Sequence, residues 1–224
     1  MVKSRFELAV CYSTDLEGEG LPSRIGDQQI ALVRTGVGPV NAAFALTRFL
    51  MENDVGAVIG CGIGGAYAGS NIAIGDVVCA ESETYGDLGA DSPDGFLDMR
   101  ALGFPVIAEP SPIYNTMTLD VFPLGRRAAF VTCATCTGSD AAAEALVRRT
   151  GGAVESMEGA AIVHVARLMG VRVGEVRGIS NVVGRRDRGA WRVREAAAAA
   201  QGALIAWIEA GGLLRLERDP SLPS

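Results

Sequence analysis

The sequence predicts an α/β fold, a β-sheet covered by helices, and three observations carry it. Short apolar runs rich in β-branched residues alternate along the chain with Ala-rich runs of helical period. Gly and Pro stand at the boundaries between the two kinds of run. The chain has 224 residues, 49% of them hydrophobic and 21% charged, enough for one domain with a sizeable buried core.

The strands read in order as Leu8–Tyr12, Ile30–Thr35, Ala57–Cys61, Asp76–Ala80, Ala128–Cys133 and Val173–Ile179. The helices read as Pro39–Glu52, Ser139–Thr150, Met157–Met169 and Arg192–Ala210. Pro39 sits just inside its helix as a start signal, and Gly170 and Gly211 serve as stops. No internal repeat is visible. Gly86–Gly103, with Asp87, Asp91, Ser92, Pro93 and Asp94, reads as a long polar loop, and loops of that length are often functional. One domain is expected over residues 1–212, followed by a C-terminal tail, 213–224, that ends Asp-Pro-Ser-Leu-Pro-Ser.

Composition narrows the partners. A net charge of −6 argues against nucleic acid and against an anionic membrane surface. No basic n-region precedes an apolar core at the N-terminus, and the longest apolar runs are broken well short of a membrane span. The expectation is a cytoplasmic protein. Cysteine usage agrees: Cys11, Cys61, Cys79, Cys133 and Cys136 are odd in number and lie mostly in strand-like runs, as buried reduced thiols do. Cys133 and Cys136 have the C-x-x-C spacing, but there is no second pair, and the single histidine, His164, falls on a helical stripe with Met157, Ala160, Ala161 and Leu168. That stripe makes His164 a core or interface residue and leaves Ser-His-Asp chemistry little to start from.

Four stretches carry candidate chemistry. In "GCGIGG", Gly60, Gly62 and Gly65 follow a strand in G-x-G-x-x-G order, and Glu81 lies downstream where a dinucleotide site keeps its acid. The fingerprint needs a helix opening at the third glycine. Here "AYAGSNIAIGD" leads straight to the next strand, too short for a parallel crossover. The glycines instead suggest a strand end whose bare backbone lets a flat ligand approach. "TGVGPVNAA" is a second glycine turn, equally readable as a tight strand-to-helix connection. "YSTDLEGEG" puts Glu17 in the loop at the end of the first strand, where open α/β folds gather ligands; a solvated loop acid is the plainer reading. Glu158 heads a helix of small apolar residues. It either complements the helix dipole or is a partly buried carboxylate in need of partners, which ligand hydroxyls could supply.

With these residues on the page, the chain resembles the purine nucleoside phosphorylase and nucleosidase family from Leu8 to about Ala210. "TGVGPVNAA", "GCGIGG…IGDVV", "VESMEGAAIVHVARLMGV" and "VRGISN" stand in that family's order and rough spacing. Within it, "TDLE", "TCTG" at 135–138, "ESMEG" and "ISNVVGRRDRGAW" at 179–191, with Arg186, Asp187 and Trp191, are similar to the futalosine-hydrolysing branch.

The resemblance implies a nucleoside phosphorylase-like, three-layer catalytic domain with a central mixed, partly closed sheet flanked by helices. It also implies a homo-oligomer, a dimer or higher, in which a partner chain closes the site. By the same resemblance Glu158, beside Met157, accepts hydrogen bonds from ribose hydroxyls. Glu17 orients and deprotonates the attacking water. Ser180, Asn181, Thr135 and Gly62 meet the base, with Thr135 standing roughly where relatives pack an aromatic ring. Asn181 occupies the position of an aspartate in adenosine-type nucleosidases. An amide cannot protonate N7 as an acid can, but it can donate to N7 or O6 and accept from a protonated ring nitrogen. That suits a 6-oxopurine such as hypoxanthine.

"TGVGPVN" and "GCGIGGAYAG" contain no cationic side chain, and strand alternation turns Arg34 away from Thr35. With no evident phosphate clamp, water is the expected nucleophile. Two carboxylates and an amide suffice, so no metal or organic cofactor is required. The alternatives are a methylthioadenosine/S-adenosylhomocysteine-type nucleosidase, a purine nucleoside phosphorylase and, from another class, a non-catalytic nucleoside-binding protein. Trp191 either walls the pocket or packs, and Arg186 and Arg188 are candidates for meeting a substrate carboxylate only by proximity to the motif, a solvated role being the plainer reading.

Overall fold

In the computed structural model, which describes residues 3–213, the chain begins with β1 (Ser4–Tyr12), the single turn α1 (Asp15–Gly18), β2 (Arg24–Ile25) and β3 (Gln28–Arg34). Next come α2 (Pro39–Glu52), the long strand β4 (Asn53–Ala66) and β5 (Val77–Tyr85). A hairpin of β6 (Gly89–Ser92) and β7 (Gly95–Asp98) precedes the single turn α3 (Met99–Leu102) and β8 (Thr116–Thr118). β9 (Arg127–Thr132), α4 (Asp140–Thr150), β10 (Val154–Ser156), α5 (Gly159–Leu168), β11 (Arg172–Val182) and α6 (Val193–Glu209) complete it.

The strands other than β6 and β7 join one mixed sheet in the order β10-β9-β5-β11-β4-β1-β3-β2, with β8 on β5. β10 also pairs with β4, so the path from β4 through β11, β5, β9 and β10 returns to β4. The sheet is therefore partly closed, and β1, β3 and β2 extend it as an open wing. β1, β3, β4 and β11 run parallel, and β5 runs antiparallel to β11.

Alternation along the strands sorts the core into layers. Leu8 and Val10 of β1 and Ile59 and Cys61 of β4 pack with Ala200, Leu204 and Ile208 of α6. Ala9, Cys11 and Val58 face the other way, toward Ala42 and Leu46 of α2 and Ala160 to Ala166 of α5. A smaller cluster of Tyr67, Val131, Cys133 and Val183 is covered by Ala143 and Leu146 of α4.

Several sequence expectations need correction. Gly86–Gly103 is a hairpin followed by a helical turn, not an open loop; Gly95 at φ 117° makes the turn between the strands. The strand expected over Ala57–Cys61 runs on to Ala66, because its glycines pair with β11 and β10. The strand expected to stop at Ala80 continues to Tyr85 through an irregularity between Ala80 and Ser82. The helix expected from Met157 starts at Gly159, with Glu158 as its N-cap. Except for Leu213, the expected tail lies outside the described residues.

Candidate active site

The parallel strands bring their C-terminal ends to one place, and a cavity with room for about 230 Å³ opens there. Its wall includes Ser13, Thr14 and Glu17 after β1, Val37 after β3, and Ile63, Gly64 and Gly65 from β4. Cys136 and Thr137 follow β9; Glu155 to Glu158 run from β10 into α5; Ser180 and Asn181 end β11, and Trp191 follows.

Glu17 is buried and tightly held. It is the third residue of the turn capped by Thr14, the spacing of a capping box. Its Oε2 accepts from Thr14 N at 3.0 Å, from Thr14 Oγ1 at 2.8 Å and from Ser13 Oγ. Its Oε1 accepts from Ile63 N at 3.1 Å, which leaves that oxygen capacity for a further donor. Glu158 sits across from it, with Oε1 accepting from Gly38 N at 2.9 Å. The glycine turn before α2 thus aims a backbone N–H at this carboxylate. Burial raises the Glu158 pKa above the ordinary carboxylate value, with Glu17 and Glu175 adding to it, while the Arg177 guanidinium and the Gly38 N–H oppose the rise.

Arg177 holds these acids together. Its guanidinium lies 2.7 Å from Glu175, 3.5 Å from Glu158 and 3.9 Å from Glu17. Burial alone would lower its pKa, but the three carboxylates more than offset that and raise it. β11 explains the placement: Val173 and Ile179 face the α5 layer, and Glu175 and Arg177 share their parity. β4 makes the room. Gly60, Gly62 and Gly64 occupy alternate positions opposite this cluster, and a Cβ at Gly62 would stand 2.7 Å from Arg177 Nη1 and collide with Glu17 Oε1. The glycine motif thus clears space for a charged cluster, and β4 runs on as a strand through Gly65.

Ser180 and Asn181 follow a register shift in β11 between Ile179 and Asn181. The Ser180 hydroxyl donates to Asn181 Oδ1 at 2.7 Å, and Asn181 Nδ2 donates to Val182 O at 3.0 Å. This fixes the amide plane and leaves one N–H for a ligand. Met157 lines the wall, its Sδ 3.2 Å from Cys136 Sγ. Trp191 lines it too, with the Arg186 guanidinium 5.2 Å from its ring centre.

Two expected base contacts stand elsewhere. Thr135 is exposed, and the wall at that loop is made by Cys136 and Thr137. Gly62 lies behind the wall against Glu17, and the backbone facing the cavity belongs to Ile63, Gly64 and Gly65. The wall contains no residue of 86–103. Arg34 pairs with Asp15 at 3.1 Å. His164 is half-buried between Tyr85 Oη at 3.2 Å and Val106 O at 3.0 Å. Cys11, Cys61, Cys79 and Cys133 are buried free thiols, and Cys136 is half-buried.

Sequence reasoning missed Arg177, Glu175, Glu83 and Glu155. The signal for the first two was present: "GEVRG" puts two opposite charges two residues apart in an otherwise apolar strand. In the structure Glu155 accepts from Tyr67 Oη at 2.7 Å and from Thr137 N at 2.9 Å and Oγ1 at 2.5 Å.

The family model of the phosphorylase superfamily matches residues 16–210. The chain belongs to the phosphorylase superfamily. Proteins named futalosine hydrolase from Streptomyces coelicolor and Thermus thermophilus are 38% and 36% identical to it. The first match covers 75% of this chain and 74% of the relative; the second covers 75% and 76%. A third of that name, from Acidothermus cellulolyticus, is 42% identical over 70% of this chain and 66% of its own length.

Solved structures agree on the superfamily fold. A 5′-methylthioadenosine/S-adenosylhomocysteine nucleosidase from Neisseria meningitidis superposes with a TM-score of 0.76 at 17% identity, covering 93% of this chain and all of its own. The Streptococcus pneumoniae nucleosidase, solved with 8-aminoadenine, gives 0.74 at 20% identity, covering 91% of this chain and 99% of its own. At those identities the likeness establishes the fold, including the central, partly closed sheet.

Proposed function

We propose that the protein hydrolyses the N-glycosidic bond of futalosine, releasing hypoxanthine and dehypoxanthine futalosine, as a step of menaquinone biosynthesis. The observation that carries this reading is Glu17 and Glu158 held by one buried arginine at a cavity that also presents Asn181, in a chain whose sequence relatives are named futalosine hydrolases.

Glu158, with Met157 beside it, binds the ribose, and its charge stabilises an oxocarbenium-like transition state. Glu17 Oε1, with capacity for another donor, orients a water and takes its proton. Asn181, fixed by Ser180, donates to the departing 6-oxopurine as that ring gains electron density. Water rather than phosphate is the nucleophile. Arg177 is the cation behind these acids, and three carboxylates already engage it; a phosphate placed there would face Glu17 and Glu158.

The finer setting belongs to the same reading. Buried free thiols suit a cytoplasmic enzyme. Val40 and Phe44 of α2 are 79% and 68% exposed, and Val37 beside them lines the cavity, which supports a homo-oligomer formed next to the site. No helix of the described residues is long and apolar enough to cross a membrane.

The test incubates purified protein with futalosine, inosine or methylthioadenosine, with and without phosphate, and separates the free bases by chromatography. Hypoxanthine from futalosine without phosphate is expected. Release only with phosphate would make the protein a phosphorylase. Adenine from methylthioadenosine, with futalosine untouched, would overturn the substrate and the argument from Asn181.

A further inference from the structure

Behind Arg177 lies a second pair of acids that the reaction does not use. Glu175 on β11 is 1% exposed and Glu83 on β5 is 0% exposed. The irregularity between Ala80 and Ser82 brings Glu83 in alongside Val78 and Ala80, on the same side of the sheet as Glu175. Each acid has one satisfied oxygen. Glu175 Oε1 accepts from Arg177 Nε at 2.7 Å, and Glu83 Oε2 accepts from Thr132 Oγ1 at 2.8 Å. Thr132 Oγ1 in turn accepts from Ala160 N at 2.7 Å, which ties the pair to the first turn of α5.

The other two oxygens, Glu83 Oε1 and Glu175 Oε2, are buried and receive no N–H or hydroxyl hydrogen bond. They lie in the same small space: a Cβ at Gly159 would collide with both. Two ionised carboxylates with facing, buried oxygens would repel at a cost far above that of one bound proton.

We infer that Glu83 and Glu175 share one proton, carried by Glu83 and donated to Glu175, and that this pair is a positioning device that fixes Arg177 between Glu17 and Glu158. The inference deepens the proposed function and rests on it for the reaction that the positioning serves. A protonated Glu83 satisfies both orphan oxygens at once. Glu175 then remains a single negative charge that anchors Arg177 Nε, while Nη1 spans Glu158 and Glu17. Burial, the Glu175 charge and the hydrogen bond to Glu175 all raise the Glu83 pKa well above the ordinary value, against weaker lowering by Thr132 and Arg177.

The other titratable groups near enough to feel the pair's charge are Tyr85, Cys133 and, from the α6 face of the sheet, Cys61 and Cys79, and all are raised away from ionisation. Burial pushes Cys61 on β4 up to about 12 and Cys79 on β5 up to about 11, and raises Tyr85 and Cys133 as well. The remaining charged neighbours are Arg177, Glu158 and Glu17, the groups being positioned.

The test has an arm that needs no substrate. Infrared spectroscopy of the free protein at neutral pH is expected to show a protonated-carboxyl C=O band that Glu83→Gln removes. An absent band, or a band unchanged in Glu83→Gln, would overturn the shared proton.

The second arm measures futalosine hydrolysis against pH. Glu83→Gln, whose amide N–H replaces the shared proton as a donor to Glu175, is expected to keep kcat within about fivefold. Glu83→Ala, with its fold checked by circular dichroism, is expected to lose about 10²-fold in kcat as Arg177 shifts. In the wild type, ionisation of Glu83 at high pH puts a second charge beside Arg177, so kcat falls on the alkaline side; that fall is expected to vanish in Glu83→Gln. A folded Glu83→Ala with wild-type kcat and pH profile would overturn the positioning role. A wild-type protein inactive on futalosine but showing the infrared band would remove the substrate and leave the proton-sharing pair standing.

Discussion

Glu155 and Glu158 lie a few residues apart on one wall of the cavity, both buried, and they are held by opposite means. Glu155 is satisfied by neutral donors, the Tyr67 hydroxyl and the Thr137 amide and hydroxyl, and it ties the loop after β9 to β10. Glu158 takes one backbone N–H and otherwise depends on a cation it shares with Glu17 and Glu175. Glu17 has such donors too, but with Arg177 beside it; a carboxylate held by hydroxyls and amides alone, as Glu155 is among the described residues, serves as a tie. One held by a shared charge keeps oxygen lone pairs open and can meet substrate. The difference separates a structural acid from a reactive one better than burial does.

The sharpest way to break the comparison is to remove the shared cation. Arg177→Met leaves buried carboxylates uncompensated, so it is expected to destabilise the fold by about 3–5 kcal/mol. It is also expected to abolish futalosine hydrolysis, with a loss on the order of 10⁴ or more, because both acids lose their geometry. Denaturant unfolding and product release measure the two effects. A stable, active Arg177→Met would mean that the cluster is not organised by its arginine.

Glu17→Gln tests one acid with the cation in place. The amide oxygen can still accept from Ser13 and Thr14, so the fold is expected to persist. The amide cannot take a proton from water, so kcat is expected to fall by about 10²–10³-fold. An unchanged kcat would transfer the base role elsewhere.

A smaller effect appears in the pH profile. Glu158 must be ionised to stabilise the cationic transition state, and its pKa is raised, chiefly by burial. Activity is therefore expected to be lost, as pH falls, above the ordinary carboxylate value of 4.5. The stability linkage has the opposite sense. A raised folded pKa gives stability that is present below the unfolded value and is lost as pH rises through the folded one. Acid should thus cost activity before it costs stability. Coincident loss of both would assign the limb to unfolding instead.

Much of this was legible in the sequence. The helix Pro39–Glu52 is found as expected because Pro39 and the periodicity agree. Glu17, Met157, Glu158, Ser180 and Asn181 all reach the cavity wall. What escaped was non-local. Glu83 enters the interior only because of an irregularity in β5, and no periodicity shows such a shift. Arg177 looks like a misplaced surface charge until the alternate glycines of β4 are seen beside it. Gly86–Gly103 read as a loop because short polar strands in a two-stranded hairpin bury little and leave no apolar alternation.

The smallest predicted effect separates two threonines of "TCTG". Thr137 donates from both its N–H and its hydroxyl to Glu155, so Thr137→Val leaves Glu155 without one donor and is expected to cost about 1–2 kcal/mol. Because the tie forms part of the cavity wall, hydrolysis should slow by a few-fold, on the order expected for a small displacement. Thr135 is exposed and outside that wall, so Thr135→Val is expected to change stability by no more than about 0.5 kcal/mol and to leave the rate unchanged. Thermal unfolding and steady-state rates on the two variants decide it. A larger rate effect at Thr135 than at Thr137 would mean that the loop turns over when substrate binds, bringing Thr135 to the base, and that the Glu155 tie opens during the reaction.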